Sequence, residues 1–247
     1  MKAVLFDLDD TLVDHQFSRR CGLSVLQRKY PALQRCAIEE LEKEHEQLSA
    51  GNYRRLLDGS LSLQDAMVER IFLLCRNHGI FLGREEAVEA TNTYREAYER
   101  NRRPVPGAVE LLCSLKGSVV TGVVTNGLVG MQMEKVRHCG LEDLLDFVLV
   151  SGEFGVHKPE RGIFEEALRR AGVRPKETVF VGDSWDTDIL GAICCGMRAV
   201  WLNRYGYTCP ASGIAAEIHA LEPLEDVLSI IIPEMGYGSM GSLSSMD

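Results

Sequence analysis

Asp7 and Asp9 close the apolar run Ala3 to Phe6, and a hydroxyl follows at Thr11. Residues two apart face the same way only while the chain stays extended, so a strand ending in Asp-Leu-Asp carries two carboxylates to the rim of a sheet. Such a pair is costly unless a cation or a proton shares it, although the same residues also read as a solvated acidic turn. Three further polar clusters follow apolar runs. Thr125-Asn126-Gly127 comes after Val123-Val124 and offers a hydroxyl, an amide and a backbone N–H, groups suited to phosphate oxygens. Lys158, just before Pro159, lies beyond the run Phe147 to Val150. Gly182-Asp183 follows Val179 to Val181, with Asp186 and Asp188 entering the next helix, where carboxylates also suit the helix start. Alone, each cluster reads as a polar turn or a solvated charge. Their weight comes from position, because ligands of open parallel sheets bind beyond the carboxyl ends of the strands.

The elements that must carry these residues fall into two regimes. Ala3 to Phe6 reads as a strand. From about Phe17 to Arg100 the apolar residues recur at helical spacing, with Gly51, Gly59 and Gly79 as breaks, which predicts an all-helical block. After Pro104, Pro106 and Gly107 the rhythm alternates. Helices are expected at Ala108 to Leu115, Met131 to Cys139, Gly162 to Ala171, Ile189 to Cys195 and Leu224 to Ile231. Strands are expected at Val119 to Val124, Phe147 to Val150, Thr178 to Val181 and Ala199 to Leu202. The fold class is therefore α/β: a Rossmann-like parallel sheet with helices on both faces, plus an inserted all-helical domain. The expected boundaries are residues 1–15 and 101–235 for the α/β part and 16–100 for the helical part. The Gly- and Ser-rich stretch 236–247 is expected to be a disordered tail.

Composition narrows the function classes. The chain has 247 residues, 45% of them apolar, and a formal net charge of -9, which disfavours nonspecific nucleic-acid or membrane-surface binding. Eight scattered cysteines without a Cys-x-x-Cys pair suit buried thiols in a reducing cytoplasm rather than a disulfide or zinc framework. No apolar run approaches the roughly 18 residues of a membrane span, and no signal peptide is visible. The expectation is a cytoplasmic protein, monomeric or homodimeric, with no nucleic-acid or membrane partner.

Phe6-Asp-Leu-Asp-Asp-Thr-Leu12, Thr125-Asn-Gly127, Lys158-Pro159 and Gly182-Asp183, in this order and each after an expected strand, resemble the motifs of the haloacid dehalogenase superfamily of phosphohydrolases. The resemblance covers the first strand and Pro104 to Leu202, and the helical insertion resembles that superfamily's cap. It implies an enzyme that hydrolyses phosphoric monoesters, with Asp7 as nucleophile and Asp9 as the acid and base. It also implies Mg²⁺ held by the side chains of Asp7 and Asp183 and the backbone carbonyl of Asp9. Thr125, Asn126 and Lys158 would hold the transferring oxygens, with Thr11, Gly127 and Asp188 in support. Counting charge supports the cation: Asp7, Asp9, Asp183 and Asp188 face only Lys158, and a phosphate would be repelled without a divalent ion. The dehalogenases of the superfamily lack the second carboxylate of the pair, so Asp9 argues for phosphoryl transfer.

A sugar phosphomutase shares every one of these motifs, and a noncatalytic phosphate-ligand binder can share the scaffold, so both readings stay open. For substrate, the opening motif with Ser18-Arg19-Arg20 is similar to phosphatases of nucleoside monophosphates and of N-acylneuraminate 9-phosphate, with phosphoglycolate phosphatase-like members also in range. A small phosphorylated metabolite, a nucleotide or sugar phosphate, is expected. Arg19, Arg20, Arg54, Arg55 and Arg95 either offer the helical part an anion-binding surface or are solvated.

Overall fold

The computed structural model describes residues 1–57 and 59–233, apart from the side chains at 53, 54 and 57. The expected tail 236–247 lies outside the described residues, as does the side chain of Arg54. The chain divides into two compact units: Met1–Asp14 together with the chain from Pro104 onward, and His15–Arg103.

The first unit is built on β1 (Ala3–Phe6) and continues with α/β alternation. Its helices are numbered after the four of the second unit, which are α1 (His15–Lys29), α2 (Ile38–Leu57), α3 (Leu63–Asn77) and α4 (Arg84–Arg100). The α/β chain then runs α5 (Ala108–Leu115), β2 (Val120–Thr125), α6 (Val129–His138), β3 (Phe147–Val150), α7 (Ser151–Phe154) and α8 (Arg161–Ala171). It finishes with β4 (Thr178–Gly182), α9 (Leu190–Cys194), β5 (Arg198–Leu202), β6 (Ala216–Ile218) and α10 (Leu224–Ile231). All strands are parallel, in the order β3-β2-β1-β4-β5-β6.

Alternation along β1 explains why the sheet is covered on both faces. Val4 and Phe6 pack with Leu111, Leu112, Val136 and Val227 of the helices on one side. Leu5 packs with Ile163, Phe164 and Ala192 on the other. A strand buried on both faces must be apolar throughout, which is how β1 reads. From β1 the chain moves out through β2 to β3, then returns across β1 to β4 and beyond. The carboxyl end of β1 is therefore the point where the winding reverses, the place where open α/β sheets take ligands.

The structure departs from the expected elements in two places. β6 was not anticipated: only Ile218 of its three residues is buried, so no alternation marks it, and pairing with β5 creates it. The helix expected over Ile189 to Cys195 begins earlier, as a wide π turn at Trp185–Ile189, and continues as α9. The Ser184 hydroxyl caps this turn by accepting the Thr187 N–H.

The second unit is all helical, with a core of Leu23, Leu26, Ile71, Leu74, Tyr94 and their neighbours. Gly22 lets α1 lie against α4, since a Cβ there would meet the Tyr94 ring at 2.7 Å. Among the described residues, no helix of either unit is long and apolar enough to cross a membrane.

Candidate active site

Register brings the polar clusters of the sheet to one rim. Phe6 pairs with Val123 on one side and Val181 on the other, so Asp7 emerges between the ends of β2 and β4. Its own N–H still donates to the Val181 carbonyl at 2.9 Å, which fixes the carboxylate on the last turn of the ladder. Beyond it the chain reverses tightly: Asp10 takes a left-handed φ of 62°, and the Leu12 and Val13 N–H groups both donate to the Leu8 carbonyl at 2.9 Å. Thr11, fully buried in this turn, reaches Asp183 Oδ1 with its hydroxyl at 3.5 Å.

Lys158 is the hub. Its ammonium donates to Asp7 Oδ1 at 2.5 Å and to Asp188 Oδ1 at 2.7 Å, and the side chain is 3% exposed. A lysine is buried this deeply only when fully paired. Asn126 holds the backbone that presents it: the Asn126 amide donates to the Lys158 carbonyl at 3.0 Å, and the Lys158 N–H donates to Asn126 Oδ1 at 2.8 Å. The side chain of Asn126, expected among the phosphate-binding groups, is thus spent on aligning Lys158. The Gly127 N–H, expected at the open rim, turns inward and donates to Ser151 Oγ at 3.0 Å. Thr125 ends β2 and is buried.

Asp7, Asp183 and Asp188 can each place one carboxylate oxygen so that the three lie within 4.8 Å of one another. Three hard oxygen donors at this spacing fit a Mg²⁺-type cation. Asp188, expected only to buttress, stands inside this group, while the Asp9 side chain does not. Burial is the largest influence on Asp7 and pushes its carboxyl up to about 7. Lys158 opposes the rise, and Asp188 and Asp9 add to it. Asp183 is raised well above the usual carboxylate range by burial, then by Asp7 and Asp188. For Lys158 burial pulls downward, but Asp188 and Asp7 outweigh it and hold the ammonium above its ordinary value. The cluster thus has more negative charge than its one lysine balances, and either protons or a cation must make up the difference.

Gly182 makes room for the third carboxylate. A Cβ there would lie 2.5 Å from Asp188 Oδ2 and 2.7 Å from its Cγ. Asp188 cannot yield, because Lys158 holds one oxygen and the Ser184 N–H donates to the other at 3.1 Å. Gly182→Ala is expected to destabilise the protein by about 1–3 kcal/mol, the usual cost of overpacking, and to weaken Mg²⁺ binding. Urea unfolding and calorimetric Mg²⁺ titration check the two effects; unchanged values in both would mean that the strand end relaxes freely.

Two residues of this site were not singled out in the sequence. Lys135 donates to both oxygens of Asp9 at 2.7 Å, and Gln132 donates to Asp9 Oδ2 at 3.0 Å and to Thr125 Oγ1 at 2.6 Å. The counter-charge of Asp9 is therefore Lys135, which the charge count omitted. The signal was present: Gln132 and Lys135 lie three apart on α6, on the face that also buries Val136. In the helical unit the arginines expected as an anion surface or as solvated are tied to glutamates. Arg19 is buried against Glu42 at 3.0 Å and Glu46 at 2.6 Å, Arg20 pairs with Glu42 at 2.9 Å, and Arg55 with Glu69 at 3.0 Å. Arg95 sits 3.9 Å from Glu99.

With this geometry in place, the comparisons with known proteins are specific. The sequence model of the haloacid dehalogenase-like hydrolases matches residues 1–196. The pyrimidine 5′-nucleotidase YjjG of Escherichia coli is 39% identical over 127 residues, which are 49% of this chain and 56% of that protein. A glyceraldehyde 3-phosphate phosphatase of Methanothermobacter thermautotrophicus is 33% identical over 208 residues, 82% of this chain and 86% of that protein. The magnesium-bound crystal structure of the HAD-hydrolase YfnB from Bacillus subtilis superposes with a TM-score of 0.69 at 24% identity, over 93% of this chain and 99% of that one.

Proposed function

The chain belongs to the haloacid dehalogenase-like hydrolases and is a phosphoric monoester hydrolase, and from that premise we propose that it cleaves a small phosphate monoester through a covalent aspartyl-phosphate on Asp7, with Mg²⁺. The observation that carries this reading is the position of Lys158, whose ammonium joins Asp7 to Asp188 inside a three-carboxylate group at the winding reversal of the sheet. Mg²⁺ would be held by Asp7, Asp183 and Asp188, and would supply charge neutralisation for the dianionic phosphoryl group.

The chain's own residues account for the rest. Asp7 Oδ attacks phosphorus as the ester P–O bond breaks, and Asp9 gives its proton to the departing oxygen to release the alcohol. Water then attacks the aspartyl-phosphate, Asp9 takes a proton from it, and inorganic phosphate leaves with Asp7 restored. Lys158 neutralises one equatorial oxygen through both half-reactions, and the Thr125 hydroxyl donates to another.

The relatives act on a pyrimidine nucleotide and on glyceraldehyde 3-phosphate, which supports a nucleotide or sugar phosphate as the substrate here. The test is phosphate release from nucleotides, sugar phosphates, phosphoglycolate and an acylneuraminate phosphate, each with Mg²⁺ and with chelator, alongside chloride release from a 2-haloacid. Mg²⁺-dependent phosphate release with one preferred ester and no chloride release is expected. Transfer of the phosphoryl group to a sugar hydroxyl, without free phosphate, would instead identify a mutase. Chloride release would overturn the role given to Asp9.

A further inference from the structure

We propose that Gln132 and Lys135 are positioning residues that hold Asp9 for proton transfer to the leaving group and tie it to the phosphate-binding hydroxyl of Thr125. This rests on the phosphatase reading above, and it assigns to α6 a share in the reaction. Both side chains are buried, Gln132 at 2% exposure and Lys135 at 3%. A lysine in the interior is not explained by packing, since an apolar chain of the same length would fill the volume without a charge to desolvate. Its partner explains it: the Lys135 ammonium stands 2.7 Å from Asp9 Oδ1 and 2.7 Å from Oδ2.

This two-oxygen grip suits a group that must act twice. One oxygen can turn to the leaving group, or later to water, while the other stays on Lys135. The Asp9 side chain is 28% exposed, so without the anchor it would sample several rotamers in solvent.

Gln132 adds the link. Its amide nitrogen is surrounded by three acceptors: Asp9 Oδ2 at 3.0 Å, Thr125 Oγ1 at 2.6 Å and the Asn126 carbonyl at 3.2 Å. A carbonyl only accepts, so the amide must present N–H on this side. Thr125 Oγ1 then accepts from Gln132, and its own proton remains to donate. One helix face thereby sets both the direction of the Thr125 hydroxyl and the place of the Asp9 carboxyl.

The test separates positioning from mere structural support by varying the leaving group. An alkoxide needs a proton as it departs, whereas p-nitrophenolate does not, and kcat/KM reports only steps through the first P–O cleavage. Lys135→Met is expected to lower kcat/KM for an alkyl phosphate by about 10- to 100-fold, within the range of general acid catalysis, while p-nitrophenyl phosphate loses less than about threefold. Lys135→Arg should recover part of the loss, and Asp9→Asn should show the same leaving-group dependence more strongly. Gln132→Leu supplies a second variant should Lys135→Met fold poorly by circular dichroism, with the same selective loss expected. Equal losses on both esters, or none on either, would overturn the positioning role. A wild-type protein that hydrolyses neither ester with Mg²⁺ would instead overturn the phosphatase reading on which it stands.

Discussion

Asp7→Asn is expected to abolish phosphate release, by at least about 10⁴-fold, while the protein stays folded. An amide cannot carry the phosphoryl group, and Lys158 and Asp9 have no other nucleophile to serve. The fold survives because the substitution does not strand the buried lysine: Lys158 keeps Asp188 at 2.7 Å. It also removes one of three clustered carboxyls whose burial disfavours their charge. In chelator at pH 8 the variant should therefore melt at or above the wild-type temperature, and the phosphate assay and the melt together give a dead but stable enzyme. Turnover near the wild-type level, in a preparation free of contaminating phosphatase, would sink the covalent mechanism.

The residues on which that expectation depends were legible in the sequence because each sits at the end of an apolar run. A strand buried on both faces cannot hide its own end, and in a parallel sheet the carboxyl ends share one rim. The partners of those residues were less legible. Asn126 reads as a rim amide, yet it is matched to a backbone 32 residues away, and nothing local announces that. Lys135 reads as the solvated lysine of a short amphipathic helix, and only the proximity of Asp9 in space, 126 residues earlier in the chain, turns it inward. The helical unit shows the same limit, since Arg19 is explained by Glu42 and Glu46 on a different helix. Asp188 was placed correctly in the first turn of its helix, but the wide π turn that delivers it to Lys158 has no sequence signature of its own. Periodicity reports which face of an element is buried; pairing between polar groups depends on register and approach, which periodicity does not contain.

Removing divalent metal should abolish activity and should also change how stability depends on pH. The Asp7 carboxyl, ordinarily near 3.8, stands at about 7 in the metal-free fold. Between those values the folded protein holds a proton that the unfolded chain has released, so by linkage stability falls as pH rises through the window. The full shift corresponds to about 4 kcal/mol as an upper bound, and Asp183 pushes in the same direction. Lys158 does not interfere, because its raised value keeps it protonated in both states below about pH 10. His45 of the helical unit does have the opposite sign: burial, then Arg70 and Arg19, hold it well below its ordinary 6.5, so it favours folding as pH rises toward that value. The comparison that cancels His45 is wild type against Asp7→Asn, both in chelator from pH 5 to 8. The wild-type melting temperature should lose ground to the variant steadily across that range. Mg²⁺ competes with the protons on the same oxygens, so its stabilisation of the wild type should grow with pH and be much weaker in the variant. Parallel pH profiles for the two proteins, with Mg²⁺ equally effective on both, would mean that Asp7 neither retains a proton in the metal-free fold nor holds the cation.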